Sequence, residues 1–247
     1  MAAMSISIET ALITAIVCAL LALIAYWRRV FDIHGTYVAF LVGLVIGILG
    51  SLLWLIMLLV FLLSSFLATK FKFDYKKQKG VQEGVRGERK VKNILANGSI
   101  PVIVACFKFF YPLSEPFATV LFLTAISAAA ADTMASELGT LSGNTYLITD
   151  LTKKVPPGTN GGVSVLGTLA ALFAAFYVSL VGCILSSVFN LAFFIIPVLL
   201  GFLSCNIDSL LGATLEVKGM MTKQMVNYIS IGTSTVICVL VWIKLSL

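Results

Sequence analysis

One histidine serves the whole chain, His34, and that scarcity excludes a good deal of enzymology. It follows Arg28, Arg29 and Asp32 at the end of an apolar run, away from the acids considered below. A Ser-His-Asp or Cys-His constellation around those acids is therefore excluded, and His34 reads as an interfacial polar residue. Charge is scarce too: Asp, Glu, Lys and Arg make up 11% of the 247 residues, against a hydrophobic share of 60%. Soluble domains are roughly 45–50% apolar, so an ordinary water-soluble fold is excluded; the mean hydropathy is +1.05. The five cysteines stand singly within apolar runs with no C-x-x-C spacing. A zinc site or disulfide framework is thus not expected, and they read as small hydrophobes at helix interfaces. The Walker pattern G-x-x-x-x-G-K-[ST] is missing. Met1–Ile8 carries no basic n-region, so the first apolar run is expected to be a retained span, not a signal peptide.

What is plentiful is apolar sequence of membrane length. A spanning helix needs about 20 such residues, and about eight stretches qualify. They are Glu9–Trp27, a block Thr36–Thr69 that must divide at Gly47, Gly50 and Ser51, then Ile94–Tyr111, Phe117–Leu138, Gly162–Gly182, Ser186–Leu211 and Met225–Ile243. Pro112, Ser114 and Pro116 make the turn after the fourth; no polar loop separates the sixth from the seventh. The expected fold is an all-α polytopic bundle, a single membrane domain over 1–247. It has a basic loop at 70–93 and a Gly/Pro-rich loop at 139–162. With the N-terminus outside, one face receives every basic residue except Lys108 and Lys244. The positive-inside rule makes that face cytoplasmic, at the cell membrane if the source is prokaryotic. The lysines from Lys70 to Lys79 read as topogenic charge attracted to anionic headgroups; no nucleic-acid partner is expected, and homo-oligomerisation is left open.

Four polar clusters fall at the same end of this bundle. Asn97 begins the fourth span, Asp132 to Glu137 end the fifth, Gly158 to Ser164 open the sixth, and Asn206 to Glu216 end the seventh. Acids within a spanning helix are expensive and by default functional. Asp132 and Asp208, from different helices, can hold Mg²⁺ through carboxylate and water ligands. The run Pro156-Pro157-Gly158-Thr159-Asn160-Gly161-Gly162 stiffens its approach with proline and allows a phosphate near its backbone through glycine. It also fits a plain helix-capping loop; the acids beside it favour phosphate. Lys153 and Lys154 precede it, and Arg86 and Arg89 lie in the basic loop.

The motifs R-G-E-R-K-V-K-N-I-L-A-N-G, A-D-T-M-A-S-E-L-G-T-L-S, V-P-P-G-T-N-G-G-V-S and I-D-S-L-L-G-A-T-L-E, in that order, resemble the signatures of the transmembrane protein 19 family. That family includes the plant phytyl-phosphate kinases of tocopherol biosynthesis. More distantly, the pattern is similar to the CTP-dependent dolichol and phytol kinases and the phosphatidate cytidylyltransferases, although their Lys-Lys follows the proline. The resemblance implies a membrane kinase that moves a phosphoryl group from a nucleoside triphosphate, CTP foremost, to a prenyl phosphate such as phytyl or geranylgeranyl phosphate. Matching the family pattern are Asn97, Asp132, Glu137, Gly158, Thr159, Asn160, Gly161, Gly162, Ser164 and Asp208. Asn227 also persists, but the acid expected beside it is missing, which leaves that segment outside the catalytic set.

The expected roles are these. Asp132, Asp208, Glu137 and Asn97 form the catalytic set, with Asp132 and Asp208 on Mg²⁺. The Thr159–Gly162 amides, with Pro157, Gly158 and Ser164, cradle phosphate, while Lys153, Lys154, Arg86 and Arg89 offset its charge. The prenyl tail lies between spans along the Gly-rich second and sixth. Two alternatives stand beside this reading: a CTP-dependent cytidylyltransferase acting on a lipid phosphate, and an ion-coupled membrane transporter.

Overall fold

The computed structural model describes residues 7–111, 113–187 and 190–245. Residues 1–6, 112, 188–189 and 246–247 lie outside them, and with them Pro112 of the expected turn and part of the start of the seventh apolar run. Eight helices among the described residues are long and apolar enough to cross a membrane. The first is α1 (Ile8–Trp27), capped by the Ser7 hydroxyl, which accepts from the Thr10 N–H. The long second block divides where its glycines predicted. Helix α2 (Ile33–Val45) passes into a π turn at Ile46–Gly50, Ser51 is fully extended, and α3 (Leu52–Lys70) begins with that serine's hydroxyl accepting from the Trp54 N–H at 3.2 Å. Capping side-chain oxygens of Ser7, Asp32 and Ser51 accept from orphan amides at each of these helix starts.

After α3 the chain reverses at Lys72, which is left-handed at φ 50°, into a short helix, α4 (Phe73–Gln78). The remaining spans are α5 (Val91–Phe110), α6 (Glu115–Gly139), α7 (Val165–Ser186), α8 (Leu191–Leu211) and α9 (Lys223–Leu245). Between α6 and α7 lies a small antiparallel sheet that apolar periodicity did not announce. Its strands are β1 (Thr145–Leu147), β2 (Asp150–Val155) and β3 (Gly162–Val163), in the order β2-β1-β3. Helix α8 runs on into a second π turn at Gly212–Glu216.

Helix α6 is the axis of the bundle, packed by α3, α5, α7, α8 and α9. Its middle, Ala128 to Ala131, is completely buried. Small residues let neighbouring backbones close in, which is how helices associate where lipid removes the hydrophobic drive. Gly201 of α8 shows how close: a Cβ there would stand 2.8 Å from the Ser127 Cβ. Further along α6, Trp54 of α3 stacks on Phe122 with ring centroids 4.3 Å apart, and its indole N–H donates to Thr119 at 3.3 Å. The side chains of α6 that lie past Ala131 are therefore held in fixed positions between α7, α8 and α9.

Candidate active site

Asp132 lies seven residues before Gly139, so helical rise places it about 10 Å inside the end of α6. Asp208 stands three residues before the end of α8, which runs on as the π turn to Glu216, and the two carboxyl groups are close enough to act on each other's charge. Asp132 Oδ2 accepts from Asn227 Nδ2 of α9 at 3.1 Å. Asp208 Oδ2 is buried without a hydrogen-bond partner among the described residues. Buried polar atoms are nearly always satisfied in native proteins, so this oxygen has an acceptor position still open. Both acids line a polar cavity of about 290 Å³, walled also by Gly158–Ser164, Glu216 and Lys223.

The glycine loop reaches that cavity because the sheet carries it there. The Leu147–Gly162 pairing and the Ile148 N–H donating to the Gly161 carbonyl at 2.9 Å fold the loop back towards the bundle. At its tip the Thr159 N–H and hydroxyl both donate to the Pro156 carbonyl, at 3.2 and 2.7 Å, and the Gly162 N–H donates to the Thr159 carbonyl at 2.9 Å. The expected phosphate cradle is thereby narrowed. Two of its four amides close the turn itself, leaving those of Asn160 and Gly161 without a partner among the described residues. Gly161 has a φ of +73°, and a Cβ on it would run into Ala213 of the second π turn. Glycine here allows the loop to dock on the end of α8, beside Asp208. Ser164 caps α7, its hydroxyl accepting from the Gly167 N–H at 3.1 Å and donating to the Gly139 carbonyl at 3.4 Å.

Glu137 borders the same cavity, yet its carboxylate is fully engaged. Oε1 accepts from Thr69 Oγ1 and Oε2 from Lys76 Nζ, each at 2.7 Å. Lys76 is completely buried and also donates to the Ala68 carbonyl at 2.7 Å, closing the C-terminus of α3. The headgroup reading of the Lys70–Lys79 run therefore fails at Lys76. The turn at Lys72 folds α4 under α3, and a cation beneath a helix C-terminus meets both the carbonyls and the dipole.

The other expected phosphate ligands separate into two groups. Lys153 and Lys154 are exposed on β2 and are not part of the cavity wall; Lys154 Nζ donates to Asn144 Oδ1 at 2.6 Å. Pro157 is half-buried outside the wall, and Arg86 is exposed, its carbonyl taken by Lys70 Nζ. Arg89 and Asn97, by contrast, are buried at 9% and 7% exposure and line a second polar cavity of about 190 Å³. Its wall shares Asp132, Ser136, Glu137, Glu83 and Lys223 with the first. Burial pulls the Arg89 guanidinium down from its ordinary value, while the charges of Glu137, Glu83 and Asp132 act the other way. No ion pair reaches it among the described residues. Asn97 Oδ1 is buried without a hydrogen-bond partner among the described residues. His34 is exposed at the start of α2, outside both cavities.

Sequence reasoning missed two residues that the structure brings to these acids. Lys223 lines both polar cavities, and its charge acts on Asp132, Asp208 and Glu216. Asn227 holds Asp132 directly. Their spacing was the available signal: four residues apart at a helix start, they share one face.

The donor set suits a hard cation. Magnesium is typically held by one or two carboxylates, with water and substrate phosphates completing the shell. Asp132 with the orphaned Asp208 oxygen supplies that much, and the described residues contain no group of three or more His, Cys, Asp or Glu side chains able to hold a metal.

The comparisons with known proteins agree with this architecture. The family model described as integral membrane protein DUF92 matches residues 16–243. Protein VTE6, chloroplastic, of Arabidopsis thaliana is 27% identical over 223 residues, covering 85% of this chain and 67% of that protein. Protein PGR of the same plant is 33% identical over 226 residues, 83% of this chain and 78% of that one. The uncharacterized membrane protein MJ0933 of Methanocaldococcus jannaschii is 34% identical over 158 residues, and the match spans 64% of each chain. No solved structure matches.

Proposed function

We propose, from the premise that this chain belongs to the DUF92 family of integral membrane proteins, that it is a membrane phosphotransferase acting on an isoprenyl monophosphate. The observation that carries the reading is the meeting of Asp132 and Asp208, one oxygen orphaned, with a glycine loop on the wall of one polar cavity. The similarity to VTE6 and the resemblance to a family containing phytyl-phosphate kinases support the prenyl acceptor. CTP is the proposed donor.

Phosphoryl transfer demands positioning and charge neutralisation more than covalent help from the protein. The Asn160 and Gly161 amides, with the N-terminus of α7, face the nucleotide phosphates. Lys223 offsets the charge that develops between donor and acceptor. Mg²⁺ held by Asp132 and Asp208 would neutralise the phosphate oxygens when bound. An acceptor oxygen forms a bond to the terminal phosphorus as that phosphorus leaves its bridging oxygen, giving a prenyl diphosphate and a nucleoside diphosphate. The acceptor is already an oxyanion at neutral pH, so a histidine base is not required. Asp132 and Asp208 lie towards one end of their helices, which favours transfer at a membrane surface over an ion relay at the midplane.

We place this end in the cytoplasm and the N-terminus outside, because the basic loops gather there. In a cysteine-free background, Gln78→Cys and Thr152→Cys should both label from the cytoplasmic side; labelling from opposite faces would refute the orientation.

The function itself is tested with purified protein, Mg²⁺, terminally labelled CTP or ATP and a panel of prenyl phosphates. Label should appear in a prenyl diphosphate. Release of labelled pyrophosphate together with a CDP-lipid would instead identify a cytidylyltransferase, and an absence of transfer to every acceptor would overturn the kinase reading.

A further inference from the structure

We infer that the lipid substrate is seated with its phosphate in the Arg89–Asn97 cavity and its apolar tail between α1, α2, α3 and α5. This rests on the function proposed above and adds where, and by which helices, the acceptor is recognised.

Three cavities adjoin in series. The nucleotide cavity shares Asp132, Ser136 and Lys223 with the Arg89 cavity. The Arg89 cavity in turn shares Arg89, Asn93 and Asn97 with a third cavity of about 90 Å³. Apart from those three residues the third is almost wholly apolar, lined by side chains such as Leu21 and Ala22 of α1, Ala39 and Phe40 of α2, and Leu58 and Leu62 of α3. The junction therefore presents a buried cation and a buried amide on one side and hydrocarbon on the other. That is the polarity profile of a lipid monophosphate.

The junction also has the features of a built anion site. A buried guanidinium is costly unless it is paired, yet Arg89 has no ion pair among the described residues. Its backbone is nonetheless fixed: the Arg89 N–H donates to the Val30 carbonyl at 3.0 Å, and its carbonyl accepts from the Asp32 N–H at 3.4 Å. These bonds tie the basic loop to the α1–α2 turn and set Phe31, buried at 6% exposure, in the wall of the apolar cavity. Asn97, on α5, brings an unsatisfied amide oxygen to the same point. A phosphate monoester accepts from guanidinium and amide N–H groups and, when singly protonated, donates to an amide oxygen. Seated there, it lies on the opposite side of Asp132 and Lys223 from the glycine loop, as transfer between two bound phosphates requires. The tail expected along the second and sixth spans thus keeps the second, with the first, third and fourth in place of the sixth.

Cross-linking tests the location independently of catalysis. Geranylgeranyl phosphate carrying a diazirine in its first isoprene units is irradiated with the wild-type protein, and the labelled peptides are read by mass spectrometry. Adducts should fall on α2 and α3, around Phe40 and Leu58. They should be competed by unlabelled geranylgeranyl phosphate, and only weakly by phosphatidate vesicles. Adducts on α7, or equal competition by phosphatidate, would overturn the assignment. Adducts on α2 and α3 without any transfer activity would keep the lipid site and remove the kinase reading.

Two substitutions sharpen the test. Ala39→Phe fills the cavity and should lower kcat/KM for geranylgeranyl phosphate about tenfold more than for dimethylallyl phosphate. Phe173→Ala, on the exposed outer face of α7, should leave that ratio unchanged. Arg89→Gln should raise KM for the lipid phosphate about tenfold while Mg–CTP still raises the melting temperature. If Ala39→Phe changes no chain-length preference, or if Arg89→Gln abolishes nucleotide protection instead, the seating is wrong.

Discussion

Two carboxylate sites lie at one end of α6, one buried and one half-buried on a cavity wall, and they differ in how completely they are satisfied. Around Glu137 both oxygens accept hydrogen bonds, a buried ammonium neutralises the charge, and Lys76 has further carbonyls to donate to. Five residues away, Asp132 shares its neighbourhood with another acid whose Oδ2 has no partner. The first arrangement is complete without a ligand. The second brings two acids together on the wall of a polar cavity and leaves an acceptor unused, an arrangement that a cation or proton between them stabilises. The contrast teaches that a carboxylate in this bundle can be fully satisfied by the protein alone, as Glu137 is, or left with an open acceptor, as Asp208 is.

The sharpest way to break that comparison is to neutralise each site in turn. Asp132→Asn and Asp208→Asn should each lower transfer on the order of a thousandfold, with melting temperature held or raised because repulsion is relieved. The double variant should be little worse than either single, since the two act as a unit. Near-normal turnover in either variant would make that residue structural and erase the distinction from Glu137.

Removing one partner of the satisfied site should act on folding instead. Glu137→Gln or Lys76→Met leaves an uncompensated buried group and should cost roughly 3–5 kcal/mol of stability. Replacing both together, as Glu137→Leu with Lys76→Met, should recover much of that. Activity per folded molecule should stay within a few-fold of wild type. Thermal melting in detergent alongside specific activity separates the outcomes; an activity loss without a stability loss would place Glu137 in the chemistry.

A smaller effect is expected at the loop. Because a methyl on Gly161 meets Ala213, Gly161→Ala should lower both the melting temperature and the protection given by Mg–CTP. Retained protection would move the phosphate site away from this turn. The smallest contrast lies among the lysines. Lys223→Met should reduce kcat about tenfold, whereas Lys153→Ala and Lys154→Ala, exposed on β2, should change stability by no more than about 0.5 kcal/mol and activity by less than about twofold. Equal losses at both places would restore the lysine pair to the site.

Much of this molecule follows from local chemistry. Runs of apolar residues about 20 long select spanning helices, because lipid offers no partner for unpaired backbone groups. Gly47, Gly50 and Ser51 divide a double-length run because a turn inside it needs small or capping residues. Asp132 and Asp208 stood out because a carboxylate within such a run must be compensated. The lysines were not legible in this way. Lys76, Lys153, Lys154 and Lys223 look alike as charges beside apolar helices, and their neighbours are far away in sequence. The reversal at Lys72 buries the first, the strand β2 holds the next two in solvent, and the packing of α9 on α8 carries the last to the acids. Spans and the cost of a buried acid are decided residue by residue against the solvent, so the sequence determined them by itself. Which cation meets which acid depends on distances between separate helices, and only the tertiary structure decided that.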